Sequence, residues 1–309
     1  MPFFHHDELL QQAGDRVLAR TWKQFPLLAR NQLALTWVVY DDPVIVNTGG
    51  AIAVNDFWQQ SVRGFSYRGV ESIDPAEIVH LVYLIAIHDW REQGMVPQSN
   101  DLDRAMDDMI RLVRHDAASL VVDILTGTTS GPALPPQPFQ TWQQQRNLIN
   151  RYLRSLQWPE LETANVNQKT WTGLPYGREY QSLGTLQENR NTLTTDAIAR
   201  LMHSIVGGVA VSPKCSQSMM ASLYQLPLSF LASSVPPNTR YWSLVGQNRV
   251  GPGGQASHEV AYIEIPNAAP FLVALTIQPK ETSQALSASA CISFLGQQMI
   301  SELENLTRH

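Results

Sequence analysis

The chain has 309 residues, of which 44% are hydrophobic and 16% are charged, and its formal net charge at pH 7 is -5. This amount of apolar sequence can bury a sizeable core, so we expect a soluble globular protein. The acidic balance, with only four lysines, excludes the concentrated basic surface that a nucleic-acid-binding protein needs.

The cysteines and the first residues bear on where the protein acts. Cys215 and Cys291 are the only cysteines, and we expect both to be free thiols. The first residues lack the basic start and apolar core of a signal peptide, and no stretch approaches the roughly 20 apolar residues of a membrane span. We therefore expect a cytoplasmic protein without a membrane span.

The first predicted elements are a helix and a pair of strands. Apolar residues recur at helical spacing between about residues 5 and 28. Residues 34–40 and 44–46 are rich in β-branched and aromatic side chains, and the Asp-Asp-Pro sequence between them is typical of a turn. The sequence therefore predicts an amino-terminal helix followed by a β-hairpin.

The middle of the chain is predicted to be helical. Residues 75–93 and 101–125 are predicted as two long helices, and a further helix is predicted at about residues 142–156. Residues 163–189 show little periodicity, which predicts a long loop. Long loops are usually functional or mobile.

Strands and helices alternate toward the carboxyl end. We predict a helix over residues 194–206, strands over 259–265 and 271–277, and a last amphipathic helix over 287–306. The Gly-rich segment 246–258 is predicted to be an elongated, flexible loop between two strands.

This order of elements predicts an α+β fold. Both termini would share an α/β lobe, about residues 1–65 plus 192–309, whose mostly antiparallel sheet is covered by the terminal helices. Residues 66–191 would form an all-helical lobe inserted between them. We expect the two lobes to make up a single domain.

Four segments resemble, in their order along the chain, the superfamily of class A β-lactamases and penicillin-binding proteins, especially a branch similar to cyanobacterial serine hydrolases. The resemblance implies a β-lactamase/transpeptidase-like fold over most of the chain. The segments are residues 73–95, similar to the nucleophile helix, 114–132, similar to the helical-lobe motif, 188–195, similar to the end of the omega loop, and 241–247, similar to the K-T-G strand.

On this resemblance, the residues that carry the family's chemistry are replaced. The serine and lysine of the S-x-x-K motif fall at Glu77 and His80. The serine and asparagine of the S-x-N motif fall at Arg114 and His115. The lysine of the K-x-G strand coincides with Leu244.

Other parts of the family pattern remain. Gly246 matches the glycine of K-x-G, and Glu188, Asn189 and Arg190 match the end of the omega loop. No S-x-x-K, S-D-N or K-[ST]-G sequence occurs anywhere in the 309 residues, so a shifted alignment does not restore the motifs.

These replacements predict loss of acyl transfer. A serine hydroxyl becomes nucleophilic when a neighbouring base takes its proton, whereas attack by the Glu77 carboxylate would give a labile anhydride. Leu244 offers no charge to a substrate carboxylate. We therefore predict a catalytically degenerate protein that acts as a binding, scaffolding or assembly factor, with a protein partner and no cofactor. The sequence leaves the oligomeric state open.

Three alternatives concern the vacated cleft of the family. Glu77, His80, His115 and Asp116 are candidate acids, bases or metal ligands of a hydrolase that acts on an amide or ester. A weaker alternative is a sensor that binds a small metabolite there. The structural alternative is an ion pair between Glu77 and Arg114, with both histidines hydrogen-bonded around it.

A few other residues attract functional interpretations. We expect His5 and His6 to be solvated, His88 to be a satisfied histidine at the edge of its helix, and Cys215 to lack a catalytic base. Any exposed tryptophan is a candidate interface anchor. The tryptophans considered are Trp58, Trp90, Trp142, Trp158, Trp171 and Trp242.

Overall fold

The computed structural model describes residues 2–44, 52–250, 254–279 and 287–306. The chain divides into two compact units, which we call the sheet unit (Met1–Glu71 with Thr195–His309) and the helical unit (Ser72–Thr194). No helix within the described ranges is long and apolar enough to cross a membrane.

The sheet unit is built on six strands. They are β1 (Phe4–His6), β2 (Leu33–Val39), β3 (Val62–Tyr67), β4 (Arg240–Val250), β5 (Gly254–Glu264) and β6 (Phe271–Ile277). Their order in the sheet is β1-β3-β2-β6-β5-β4. β1 runs parallel to β3, and the other neighbouring pairs are antiparallel.

The α-helices of the described ranges fall into two groups. The sheet unit contains α1 (Glu8–Gln24), α2 (Val54–Gln59), α9 (Thr195–Val206), α10 (Pro213–Leu223) and α11 (Ala288–Leu306). The helical unit contains α3 (His80–Glu92), α4 (Asn100–Arg111), α5 (His115–Thr126), α6 (Pro136–Arg146), α7 (Leu148–Ser155) and α8 (Gly177–Ser182).

The two faces of the sheet are covered by different helices. Successive residues of a strand point to opposite faces. Leu35 and Trp37 of β2 belong to a core cluster that includes residues of α1 and α11, whereas the Thr36 hydroxyl lies 2.8 Å from that of Thr195 on α9. All of β2 is buried, as expected for a strand that is covered on both faces.

The terminal helices pack together on one face of this sheet, as predicted. The Glu302 carboxylate of α11 lies 2.7 Å from Arg16 and 2.9 Å from Arg20 of α1. The predicted α+β fold, with a mostly antiparallel sheet under the terminal helices, is confirmed.

The predicted amino-terminal hairpin is wrong. Its first strand is confirmed as β2, but the antiparallel neighbours of β2 are β3 and β6. Val44 lies outside the strands, and its N–H donates to the Tyr262 hydroxyl at 2.9 Å. Residues 45 and 46 lie outside the described residues.

Two predicted helices are each divided. The predicted helix over residues 101–125 is broken between α4 and α5, where Val113 adopts a positive φ of 54° that an α-helix cannot contain. The predicted helix over residues 142–156 is broken at Asn147, between α6 and α7. The predicted long loop contains the short helix α8.

The predicted loop over residues 246–258 is also wrong. β4 and β5 continue through it as an antiparallel ladder in which Gly246 pairs with His258 and Val250 with Gly254. The glycine content of this segment is typical of a loop, but hydrogen bonding between the backbones of β4 and β5 makes it strand. The predicted strands over residues 259–265 and 271–277 and the helices over 194–206 and 287–306 are confirmed, with small shifts of their ends.

Candidate functional site

Glu77 lies where the segment that resembles the nucleophile helix begins. A short 3-10 turn, Ala76–Val79, leads directly into α3. Ala76 has a positive φ of 47°, which costs a non-glycine residue about 1–2 kcal/mol, and its N–H donates to Asp74 Oδ1 at 3.1 Å. Glu77 is 8% exposed. A largely buried carboxylate therefore stands at the position that the resemblance gives to serine.

His115, the first residue of α5, is a partner of Glu77. Its Nε2 lies 3.0 Å from Glu77 Oε1. Because the carboxylate accepts, Nε2 carries a proton. His115 Nδ1 is buried and has no hydrogen-bond partner in the described part of the chain. In the neutral ring, Nδ1 is the basic nitrogen of a carboxylate–imidazole dyad, an arrangement that orients the histidine base of many hydrolases.

His80 is fully buried and both of its ring nitrogens are hydrogen-bonded. Nδ1 lies 3.1 Å from the Met109 carbonyl oxygen, which can only accept, so Nδ1 carries the proton. Nε2 lies 3.1 Å from Thr170 Oγ1 and accepts from that hydroxyl. Burial lowers the pKa of His80 to about 4, against the opposing effect of the Glu77 carboxylate. His80 is thus a neutral ring whose hydrogen-bonding capacity is used.

The predicted ion pair between Glu77 and Arg114 is wrong. Arg114 Nε and Nη2 donate to the two carboxylate oxygens of Asp116 at 3.1 and 2.8 Å. Both side chains of this pair are more than half exposed, and the hydrogen bond from Arg114 lowers the pKa of Asp116. Asp116 is two residues from Arg114 and accessible in solvent, so the guanidinium pairs there while Glu77 pairs with His115.

The four residues considered as metal ligands do not converge. Glu77 meets His115, both nitrogens of His80 bind other groups, and Asp116 pairs with Arg114. Across the described residues, no group of three or more His, Cys, Asp or Glu side chains is arranged to hold a metal ion. The side chains present at this position therefore do not fit a metal centre.

An asparagine network, which the sequence analysis missed, orders the segment predicted as a long loop. Asn167 Nδ2 lies 2.9 Å from Asn147 Oδ1 and from Asn189 Oδ1. Asn191 Oδ1 accepts from the backbone N–H groups of Asn167 and Gln168 at 3.0 and 2.9 Å. Side-chain amides replace the backbone pairing that regular structure would supply. Six asparagines between residues 147 and 191 were the available signal.

The residues that match the end of the omega loop have local partners. Asn189 belongs to the asparagine network, and its Nδ2 also donates to the Ser182 carbonyl at 2.8 Å. Glu188 Oε2 accepts from the Leu186 N–H at 2.9 Å. Arg190 Nη1 lies 3.6 Å from Asp74 Oδ2. These residues tie the segment to the turn that precedes Ala76.

Four charged side chains, also missed from the sequence, form a second network in the helical unit. Arg146 and Glu179 are 2% and 0% exposed and lie 2.5 Å apart. Lys169 Nζ binds Asp123 Oδ2 at 2.7 Å and Ser130 Oγ at 2.9 Å. Buried charges require partners of this kind. Residues spread over four separate segments meet here, so no local sequence pattern reveals the cluster.

The remaining predicted positions lie in the sheet unit. Leu244 on β4 is fully buried opposite Val260 of β5. Gly246 pairs with His258, whose Nδ1 lies 2.6 Å from Thr276 Oγ1. The strand position that the resemblance gives to a lysine therefore carries an apolar side chain in the core.

The expectations for the amino-terminal histidines and for the two cysteines are met. His5 and His6 are exposed on β1, as predicted. Cys215 and Cys291 are free thiols, as predicted, and both are buried. His88 is buried on α3, and burial lowers its pKa to about 4.

The tryptophans do not supply exposed anchors. The six that were considered, Trp58, Trp90, Trp142, Trp158, Trp171 and Trp242, are buried or half-buried. Large exposed apolar side chains occur instead between residues 174 and 186 of the helical unit. They are Leu174, Tyr176, Tyr180 and Leu186, with exposures of 56%, 86%, 51% and 87%.

Known structures with a similar fold include beta-lactamases and PBP-A. A beta-lactamase from Sphaerobacter thermophilus is 16% identical, with 94% of this chain and 97% of that chain covered and a TM-score of 0.65. A class A beta-lactamase from Bacteroides cellulosilyticus is 10% identical, with coverage of 97% and 99% and a TM-score of 0.64. A mutant of PBP-A, in its acyl-enzyme complex with penicillin G, is 13% identical, with coverage of 99% and 100% and a TM-score of 0.64.

At these identities the likeness concerns the fold, and the class it defines is that of β-lactamase- and penicillin-binding-protein-like proteins. The family model described as the Beta-lactamase enzyme family matches residues 143–303, more than half of the chain. The chain belongs to this family. None of the curated proteins matches it.

Proposed function

We propose that this member of the β-lactamase family no longer performs acyl transfer and acts as a binding, scaffolding or assembly factor. The observation that carries the proposal is the 3.0 Å contact of Glu77 with His115 beside a His80 ring that is bonded at both nitrogens. Neither position of the S-x-x-K motif provides a hydroxyl nucleophile or an amine base. At the strand lysine position, Leu244 adds no ammonium group.

The energetics of these contacts support a structural role for the replaced residues. A hydrogen bond to a charged group contributes about 1.5–3 kcal/mol, and an unpaired buried charge costs more than that. Glu77 and His115 each give the other a hydrogen-bond partner. Their pairing supports a site whose polar groups stabilise the fold.

Labelling with a fluorescent penicillin and with a fluorophosphonate, followed by denaturing electrophoresis, tests the loss of acyl transfer. We expect no covalent band under conditions in which a class A β-lactamase whose deacylation has been slowed is fully labelled. A labelled band that disappears when one residue of this chain is changed would refute the proposal.

The exposed apolar side chains of the helical unit support a role in protein binding. Tyr176 and Leu186 are 86% and 87% exposed, and exposed apolar side chains that form a patch often mark an interaction surface. They lie in the same part of the chain as the asparagine network. The backbone that carries them is therefore ordered by its own hydrogen bonds before a partner arrives, which lowers the entropic cost of binding.

Site-specific photo-crosslinking in the native cell tests this surface. A photoreactive residue at Tyr176 and one at Leu186 should capture the same partner, whereas one at Leu120 should not. Leu120 is a suitable control because it is 42% exposed on α5 of the same unit. Equal capture from all three positions, or none from Tyr176 and Leu186, would contradict the proposed surface.

A second candidate function is hydrolysis of an amide or ester by the Glu77–His115 dyad. The buried His115 Nδ1, which has no partner in the described part of the chain, favours it, because an oriented imidazole can activate a water molecule. Turnover in a generic ester and amide panel that is lost in His115→Gln, with Arg114→Gln as the control, would support this candidate. No turnover by the wild type, or turnover that is unchanged in His115→Gln, would eliminate it.

We further propose that the protein acts in the cytoplasm. Both cysteines are free and buried, which is typical of proteins from a reducing compartment. Fractionation of the source cells with compartment markers tests this assignment, and recovery with periplasmic or extracellular markers would overturn it.

A further inference from the structure

A cavity of about 530 Å³ lies in the sheet unit, in a different part of the chain from Glu77 and His115. Its size falls within the range of small-molecule sites, about 300–1,000 Å³. Val39, Val62 and Phe57 give it apolar walls, and Tyr40, Asp41, Asp42, Arg63 and His203 add polar groups. Apolar walls with a few directed polar groups are the usual composition of a ligand pocket.

His203 is held rigidly at the wall of this cavity. It is 2% exposed on α9, and its ring stacks on Phe57 at a centroid distance of 4.7 Å and on Tyr40 at 5.7 Å. Its Nδ1 lies 2.9 Å from the Tyr40 hydroxyl oxygen. Packing on two aromatic rings and a hydrogen bond to one nitrogen together fix the orientation of the imidazole.

The contact with Tyr40 determines where the proton of His203 lies. Burial raises the pKa of Tyr40, so the phenol keeps its proton, and burial lowers the pKa of His203 to about 3, so the ring is neutral. The buried phenol must donate, because an unsatisfied buried donor costs about 1–3 kcal/mol. Nδ1 is therefore the acceptor, and the ring proton lies on Nε2, which has no hydrogen-bond partner among the described residues.

Arg63 provides a second polar group that can be recruited. Its Nη2 donates to Asp41 Oδ1 at 2.9 Å, and the Asp41 side chain is 87% exposed. An exposed ion pair of this kind contributes about 0–1 kcal/mol, so a ligand oxygen can compete with Asp41 for the guanidinium.

We propose that this cavity binds a small apolar molecule that carries one oxygen acceptor, a carbonyl or a carboxylate. The acceptor oxygen takes the hydrogen bond from His203 Nε2–H, and the apolar body packs against Val39, Phe57 and Val62. Arg63 adds affinity for a carboxylate over a carbonyl. The proposal goes beyond the proposed function, because it assigns a ligand site that lies outside the degenerate motif positions.

NMR titration of the full chain with benzamide, benzoate and toluene tests the proposal, with His203 ring resonances as the readout. We expect an Nε2-protonated tautomer before addition, and shifts of that proton on binding of benzamide and benzoate. Toluene has the same ring without an oxygen acceptor and without a charge, and we expect it to bind at least tenfold more weakly. Equal binding of toluene, or no change at His203 with any probe, would overturn the proposal.

Variants separate the roles of the two polar groups. His203→Phe keeps a ring in the stack and should weaken benzamide and benzoate at least tenfold. Arg63→Gln should weaken benzoate and leave benzamide unchanged. If His203→Phe does not fold, Tyr40→Phe provides the same test. Without the phenol donor the His203 proton is no longer fixed on Nε2, so both probes should bind more weakly. Unchanged affinity of both probes in the folded variants would contradict the assigned donor.

Discussion

Two polar regions of the helical unit use their side chains in different ways. Where the family's nucleophile motif is expected, Glu77 and His115 form a small pair next to the neutral His80. Around the omega-loop-like segment, amides and buried charges form an extensive network that includes Arg146 and Asn167. The comparison teaches that polar groups in one unit can be satisfied either by a small isolated pair or by an extensive network of amides and charges.

The largest expected difference between the regions follows from removing one arginine from each. Arg146→Met leaves Glu179 buried without its 2.5 Å partner, so we expect a loss of about 3–5 kcal/mol in the free energy of unfolding. Arg114→Met removes an exposed pair and should cost less than about 1 kcal/mol. Urea denaturation of both variants measures the difference, and equal losses would show that the network is not a stabilising framework.

The next expected effect is a pH dependence that arises at His80. Its pKa falls from 6.5 in the unfolded chain to about 4 in the folded protein, so between these values the unfolded state binds more protons. Stability is therefore complete above pH 6.5 and declines as the pH falls toward 4, by about 3 kcal/mol from this residue.

The comparison that isolates this effect is between the wild type and His80→Gln. Gln can donate to Met109 and accept from Thr170 but does not titrate, so the variant should lose about 3 kcal/mol less than the wild type between pH 7 and pH 4. Parallel stability curves for the two proteins would show that His80 titrates normally and contradict its buried, neutral state.

The smallest predicted effect concerns the asparagine network. Asn167→Ala removes the amide that joins Asn147 to Asn189 and leaves their partly buried oxygens with fewer donors, which should cost about 1–3 kcal/mol. Gln145→Ala, on the exposed side of α6, should change stability by less than about 0.5 kcal/mol. Equal losses of stability in the two variants would show that the asparagine network does not stabilise this segment.

The sequence predicts much of the fold because apolar periodicity is a local property of the chain. β2, β6, α9 and α11 each carry a continuous pattern, and all were predicted close to their observed bounds. The part of the β4–β5 ladder over residues 246–258 was missed because its glycine content is typical of a loop. Only the pairing of the two neighbouring strands makes this segment regular.

The candidate site was predictable in its residue types but not in its pairing. Glu77 and His115 were both identified, yet Arg114 was expected as the partner of Glu77. The opposite charge of Arg114 made it the expected partner. In the structure its guanidinium instead pairs with Asp116 at the exposed start of α5. The buried pair of Arg146 and Glu179 was not predicted, because neither residue lies in a motif and only the tertiary fold brings them together.

Intact-protein mass spectrometry after prolonged incubation with penicillin G is the most direct test of lost acyl transfer. An active class A β-lactamase with its deacylation slowed serves as the positive control. The account predicts a single unmodified mass for this chain at every time point, for the wild type and for Glu77→Gln alike. A penicilloyl adduct that maps to a residue of the described site in the wild type and is lost when that residue is changed would contradict it.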